Sequence, residues 1–186
     1  MTDFLTTVLM LGIGISSPVS NLELDADKIN PTNKKSIECL AMNMYHEARN
    51  QGSAGMVAVS AVVINRVNDL RFPNTICKVV EQGPTRKSWK NDGTYYPIKH
   101  KCQFSWYCDG KSDKPKDKDS YKKALDLSNL MLHNNVTFVD ITDGALFYHA
   151  DYVTPSWAEK KQKTTEIGDH IFYRWDETEK NKGIQK

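Results

Sequence analysis

The sequence carries no strong charge of either sign. Its 25 Lys and Arg against 23 Asp and Glu leave a formal net charge of +2 and a pI near 8.2. That falls short of the basicity of a typical nucleic-acid binder, so no nucleic-acid partner is expected. No two cysteines have C-x-x-C spacing, which removes the common zinc and redox motifs. A G-x-S-x-G elbow, a P-loop and a complete dinucleotide fingerprint are also missing, and no cofactor is expected. There is no internal repeat, no low-complexity tract and no apolar run long enough for an ordinary transmembrane helix.

Hydrophobic residues make up 39% of the 186 positions, enough for one domain of ordinary size with a real core. The first 20 residues form an apolar leader in which Phe4 to Ile15 has the length of a signal-peptide core. It departs from the usual pattern, because no Lys or Arg precedes the apolar stretch and Asp3 is acidic. The leader reads as a signal or an anchor, with membrane association through residues 4–15 and export to the periplasm or cell wall. The alternative is a mobile segment lying on the domain. Residues 21–35 are polar, without apolar period, and read as a linker; the domain is expected over 36–186. An even cysteine count in an exported chain suggests two disulfides among Cys39, Cys77, Cys102 and Cys108, with three connectivities open. Cys102 and Cys108 are close enough to close a small loop, and that pair is preferred.

Helical periodicity begins at about Lys35 and runs to Arg49, with Ile37, Leu40, Ala41, Met44 and Ala48 on one stripe. Glu47 falls beside Leu40 at its edge, His46 points away from it, and Gln51-Gly52 ends the helix. Ser53 is the expected cap of a second helix, about Ala54 to Asn68, apolar nearly all round and therefore buried. A short third helix is expected from Asn74 or Thr75 to Gln82, and another from about Ser120 to His133. Extended segments are expected at Val136 to Ile141, Ala145 to His149 and Ile171 to Trp175, with a helical turn around Pro155 to Ala158. The class is thus mainly α with a few short strands. Residues 84–118 hold nine Lys and Arg, four Asp and interleaved aromatics. Such a stretch reads first as a solvated surface loop and second as the lining of a sugar-binding groove.

Four segments carry side chains capable of chemistry. Tyr45-His46-Glu47-Ala48-Arg49-Asn50 begins like a zinc-protease helix, but the second histidine of H-E-x-x-H would fall at Asn50, so no metal is expected. What remains is a carboxyl at the edge of an apolar stripe, whose desolvation would keep it protonated as a general acid. On this helix alone, a surface Glu paired with Arg49 or a Lys is the better reading. The other segments are Lys101 to Trp106, Gly144 to Ala150 followed by Tyr152 to Trp157, and Ile167 to Tyr173; each is weak by itself.

Taken together, ECLAMNMYHEARNQGSAGMVAVSAVVINRV (38–67), FPNTICKVV (72–80), CQFSWYCDG (102–110), GALFYHADYVTPSWA (144–158) and IGDHIFYRW (167–175) resemble the SleB-type cell-wall hydrolases, known from spore-cortex-lytic enzymes and from bacterial and phage relatives. The blocks stand in the family's order and reverse the odds on Glu47, which matches the family's catalytic glutamate. The resemblance implies a lysozyme-like helical domain related to goose-type lysozymes and lytic transglycosylases. Its implied partner is bacterial peptidoglycan, cut at the β-1,4 bond between N-acetylmuramic acid and N-acetylglucosamine. It further implies a substrate-binding set of Gln103, Phe104, Ser105, Tyr148, His149, His170 and Tyr173, with Gln103 on a strand bordering the cleft. The Pro84–His100 loop and the N-terminus depart from the family pattern.

One acid suffices if the muramic acid C6 hydroxyl is the nucleophile, as in a lytic transglycosylase. A hydrolytic muramidase needs a second group to hold water, for which Asp109 and Asp143 are the candidates. A non-catalytic peptidoglycan-binding module is the rival from another class; the intact Glu47 motif argues against it. A monomer is expected, and the compact chain leans toward a phage lysin over a bacterial wall-remodelling enzyme.

Overall fold

A computed structural model describes residues 34–133 and 137–176. The leader and most of the expected linker lie outside these residues, as does Val136. Helix α1 spans Lys34–Ala48, so Lys34 and Lys35, assigned above to the linker, are its first turn. Helix α2 spans Gly52–Asn68, α3 Ile76–Val80 and α4 Lys118–Met131. A hairpin of β1 (Thr85–Lys87) and β2 (Tyr95–Pro97) lies between α3 and α4. A second sheet holds β3 (Phe147–Ala150), β4 (Gln162–Ile167) and β5 (His170–Arg174), antiparallel in the order β3-β5-β4. The chain is thus mainly helical with short antiparallel strands, as its periodicity implies.

Two apolar clusters explain why α2 is apolar on nearly every side. Met56, Val59, Val63, Ile64 and Val67 pack with Leu40, Met44 and Ala48 of α1, Ile76 and Val79 of α3, and Ala124 and Met131 of α4. On the opposite side, Ala58 and Val62 meet Ala145 and Phe172 of the sheet layer. A helix shared by two layers has no solvent face to keep polar. The small side chain of Ala58 admits the sheet closely.

Several local expectations need correction. Ser53 does not cap α2; Gln51 occupies the cap position without a side-chain cap bond, and Ser53 lies within the first turn. Gly52 takes a φ of +67°, the left-handed geometry that lets the chain reverse between α1 and α2. Asp117 caps α4 by accepting from the Asp119 and Ser120 amides, which starts that helix ahead of Ser120. Thr75 does cap α3, accepting from the Lys78 amide. Residues 137–141 form only an isolated bridge and no strand. β4 was not expected: its Gln-Lys-Thr-Thr-Glu-Ile sequence lies on a sheet edge, largely solvated, and lacks apolar alternation. The turn near Pro155 is one short 3-10 helix, Ala158–Lys160, and a second one spans Ser105–Cys108.

Candidate active site

Glu47 sits in the last turn of α1, half-buried, and its Oε2 accepts a hydrogen bond from the Tyr148 hydroxyl of β3 at 2.9 Å. That contact joins the helical layer to the sheet. α2 sets it up by gripping the loop that launches β3. The Asn65 amide nitrogen donates to Asp140 and to the Ala145 carbonyl, both at 2.9 Å, and Arg66 Nε donates to the Leu146 carbonyl at 2.8 Å. Asp140 is the centre of this loop, accepting from the Thr142 amide and hydroxyl and from the Gly144 amide. Tyr148 lies two residues past Leu146, so these bonds fix where its hydroxyl ends.

Burial dominates the electrostatics. Desolvation raises the Glu47 carboxyl above its ordinary value, while the Tyr148 hydrogen bond and the Arg66 charge pull it partly back. The same pocket holds the Tyr148 phenol well above 10 through its own burial and the neighbouring carboxylate, so it stays a donor. Arg66 is 5% exposed, and its guanidinium lies 5.1, 5.4 and 5.8 Å from the ring centroids of Phe72, Phe104 and Phe147. Burial lowers its pKa, and aromatic faces supply part of the solvation that water would have given. Arg66 was not singled out from sequence; its only signal is a charge inside an otherwise apolar helix, which calls for a buried partner. The ensemble is a protonatable carboxyl in a dry setting, with one neutral donor and one cation able to stabilise its ionised form. It can donate a proton and then hold one to be received.

Strand alternation divides the substrate-binding set implied by the resemblance. Tyr148 pairs with Phe172 and Ala150 with His170, which places Tyr148, Phe172 and His170 on the face toward Glu47. His170 is buried, meets Tyr148 edge-on at 5.1 Å, and has its pKa lowered by burial. Phe147 pairs with Tyr173 and His149 with Ile171, so His149 and Tyr173 lie on the opposite face. There the His149 Nε2 and the Tyr173 hydroxyl are 2.9 Å apart, and Trp157 packs against both rings. The structure therefore does not bring His149 and Tyr173 together with Glu47; one residue of offset along a strand reverses the face.

Gln103 belongs to no strand; it lies in a bend ahead of the short 105–108 helix, its amide donating to the Gln82 carbonyl. Gln103 and Ser105 are exposed, while Phe104 is buried against Arg66. Trp106 holds this segment to α1, with Nε1 3.2 Å from Asn43 Oδ1 and its indole stacked on His46 at 4.5 Å. His46 is thus partly covered, and its Nε2 meets the Asp113 carbonyl at 2.9 Å. Asp109 accepts from the Lys111 amide, and Asp143 pairs with Arg174 at 3.1 Å. Neither is among the groups that perturb Glu47. The cysteines form Cys39–Cys77 and Cys102–Cys108, the second being the pair preferred from spacing.

The helical layer thus presents one desolvated glutamate to a tyrosine of a small antiparallel sheet, an arrangement suited to acid chemistry. Residues 50–173 match the family described as Cell Wall Hydrolase, and the chain belongs to that family. The match begins just after the turn carrying Glu47. The chain is 28% identical over 144 residues to the spore cortex-lytic enzyme of Bacillus cereus, covering 77% of this chain and 46% of that protein. It is 30% identical over 137 residues to the spore cortex-lytic enzyme of Oceanobacillus iheyensis, covering 73% and 40%. The chain thus spans less than half the length of these relatives. Its fold is similar to the catalytic domain of the germination-specific lytic transglycosylase SleB from Bacillus anthracis, with a TM-score of 0.53 and 27% identity over 76% of this chain and 95% of that one.

Proposed function

We propose that this chain cleaves peptidoglycan glycan strands between N-acetylmuramic acid and N-acetylglucosamine as a lytic transglycosylase, with Glu47 as the only catalytic carboxyl. The observation that carries this reading is the desolvated Glu47 carboxyl held by Tyr148, with no second acid among the groups that shift it in the described residues. Glu47 in its protonated form donates to the departing glycosidic oxygen as the C1–O bond breaks. The resulting carboxylate then takes the proton of the muramic acid C6 hydroxyl as that oxygen bonds to C1. The products are a free 4-hydroxyl and a 1,6-anhydro ring, and no water is consumed. Tyr148 and Arg66 stabilise the carboxylate between the two transfers. On this reading exposed Gln103 and Ser105 meet the sugar, and His149 and Tyr173 support the sheet from behind.

The same reading assigns the region from α1 onward as one catalytic unit of lysozyme-like ancestry. Two disulfides and membership of a cell-wall hydrolase family support work outside the cytoplasm. Phage lysis and remodelling of a bacterium's own wall would both use this cut. Glu47→Gln keeps the size of the side chain but cannot donate the proton, so turnover on purified sacculi should drop about 10²- to 10⁴-fold, the usual worth of general acid–base catalysis. A folded variant that keeps more than about a tenth of the parent rate would contradict the assignment.

A further inference from the structure

No residue of the β1–β2 hairpin is among the groups that contact or shift Glu47, and the hairpin exposes a cluster of aromatic and basic side chains. Trp89 is 85% exposed, Tyr95 61% and Tyr96 46%. Arg86, Lys87 and Lys90 lie among them, all exposed, and none forms an ion pair among the described residues. Large exposed aromatics cost solvation and generally mark a surface that meets a partner.

Two features make this a built surface. Its tip is held by hydrogen bonds: the Ser88 amide donates to the Thr94 carbonyl, the Lys90 amide to Ser88 Oγ, and the Thr94 amide to Asp92 Oδ1. Asn91 and Gly93, at φ of +52° and +78°, complete the reversal. Its base is tied to the segment bordering the active site. The Ile98 amide bonds the Pro84 carbonyl, the Gln103 amide bonds the Gln82 carbonyl, the His100 amide bonds the Cys108 carbonyl, and Cys102–Cys108 closes the loop. The backbone that carries Trp89 is therefore ordered in advance, which lowers the entropy lost on binding.

The register decides what such a surface suits. Arg86 lies opposite Tyr96 and Lys87 opposite Tyr95, so each face of the hairpin carries one cation beside one aromatic ring. An element that sinks into a bilayer separates its apolar and charged faces. This one mixes them on both. Alternating rings and cations match a polymer of pyranose rings that carries peptide carboxylates: flat rings stack on sugars, and the cations pair with the acids.

We propose that the β1–β2 hairpin is a second binding arm for the anionic glycan-peptide polymer of the wall, separate from the cleft at Glu47. The proposal rests on the peptidoglycan reading above, and it is tested by binding so that it can fail independently of cleavage. The Glu47→Gln protein is co-sedimented with purified insoluble sacculi, alone and combined with Trp89→Ala/Tyr95→Ala or with Arg86→Gln/Lys87→Gln/Lys90→Gln. All five positions are exposed, and unchanged thermal melting checks the fold. Each set should weaken binding to sacculi by about tenfold or more, and the cationic set should also reduce its salt dependence. In the catalytically intact chain, the same changes should lower turnover on sacculi more than turnover on short soluble glycan fragments. Undiminished binding by the variants overturns the proposal. So does an equal loss on both substrates, which would place the hairpin in the cleft, or retention by anionic lipid vesicles and not by sacculi. If sacculi bind through the hairpin and remain uncut by the parent chain, the arm stands and the cleavage reading falls.

Discussion

Glu47 is subject to opposed forces, and on the proposed mechanism their balance sets when it can act. Burial favours the protonated carboxyl, while Tyr148 and Arg66 favour the carboxylate. A general acid works only while protonated, so activity should persist above the pH at which an ordinary glutamate ionises and fall as pH rises through the raised value. Tyr148→Phe removes a donor that stabilises the carboxylate, so the Glu47 pKa should climb further. The alkaline limb of kcat/KM against pH should then move to higher pH while the maximal rate falls. A limb that moves to lower pH, or does not move, would show that Tyr148 does not control the acid. The same linkage predicts the stability of Glu47→Gln. A carboxyl whose folded pKa is raised contributes its full stability below the unfolded pKa and loses it as pH rises through the folded value. The amide carries no such loss, so Glu47→Gln should melt no lower than the parent at the alkaline end. A lower melting temperature there would mean that the carboxylate is better accommodated than its surroundings indicate.

Elements reach the site in different ways, and the two disulfides separate those ways. Cys39–Cys77 joins α1 to α3 across 38 residues, and Cys102–Cys108 closes six. By the loop-entropy estimate the first is worth about 4 kcal/mol and the second about 2 kcal/mol. Calorimetry of Cys39→Ala/Cys77→Ala and Cys102→Ala/Cys108→Ala should show the larger drop in melting temperature for the first pair. The second should have the larger effect on catalysis, because its loop carries Phe104 and Trp106. Equal drops would mean that residual structure in the unfolded chain, not loop length, governs the bridges. Periodicity made α1 and α2 legible because both bury a defined apolar pattern. It missed β4, whose stability comes from pairing with β5 and not from its own side chains. It could not sort His149 and Tyr173 from Tyr148, because adjacent strand residues face opposite ways and only the register against β5 tells which face meets α1. His46 was read only as lying off the apolar stripe, because no local pattern reports that Trp106, sixty residues on, stacks upon it.

Across the described residues, α2 joins the helical core to the sheet layer. Its one side builds the helical core, its other supports the sheet, and Asn65 and Arg66 at its end aim β3 at α1. The Glu47–Tyr148 contact is therefore a product of layer packing and not of a single motif, which is why Glu47 looked ordinary on its helix alone. The central claim is that this arrangement needs no second acid, because the attacking hydroxyl is tethered to the reacting sugar. Such tethering is worth an effective molarity on the order of 10⁵ M or more when the geometry is right, against which water must compete. Mass spectrometry of muropeptides released from purified sacculi tests this directly. The account predicts ends of 1,6-anhydro-N-acetylmuramic acid, lighter than hydrolytic ends by one water and resistant to borohydride. Ends that are only reducible N-acetylmuramic acid would contradict it and turn attention to Asp109 and Asp143 as holders of a nucleophilic water.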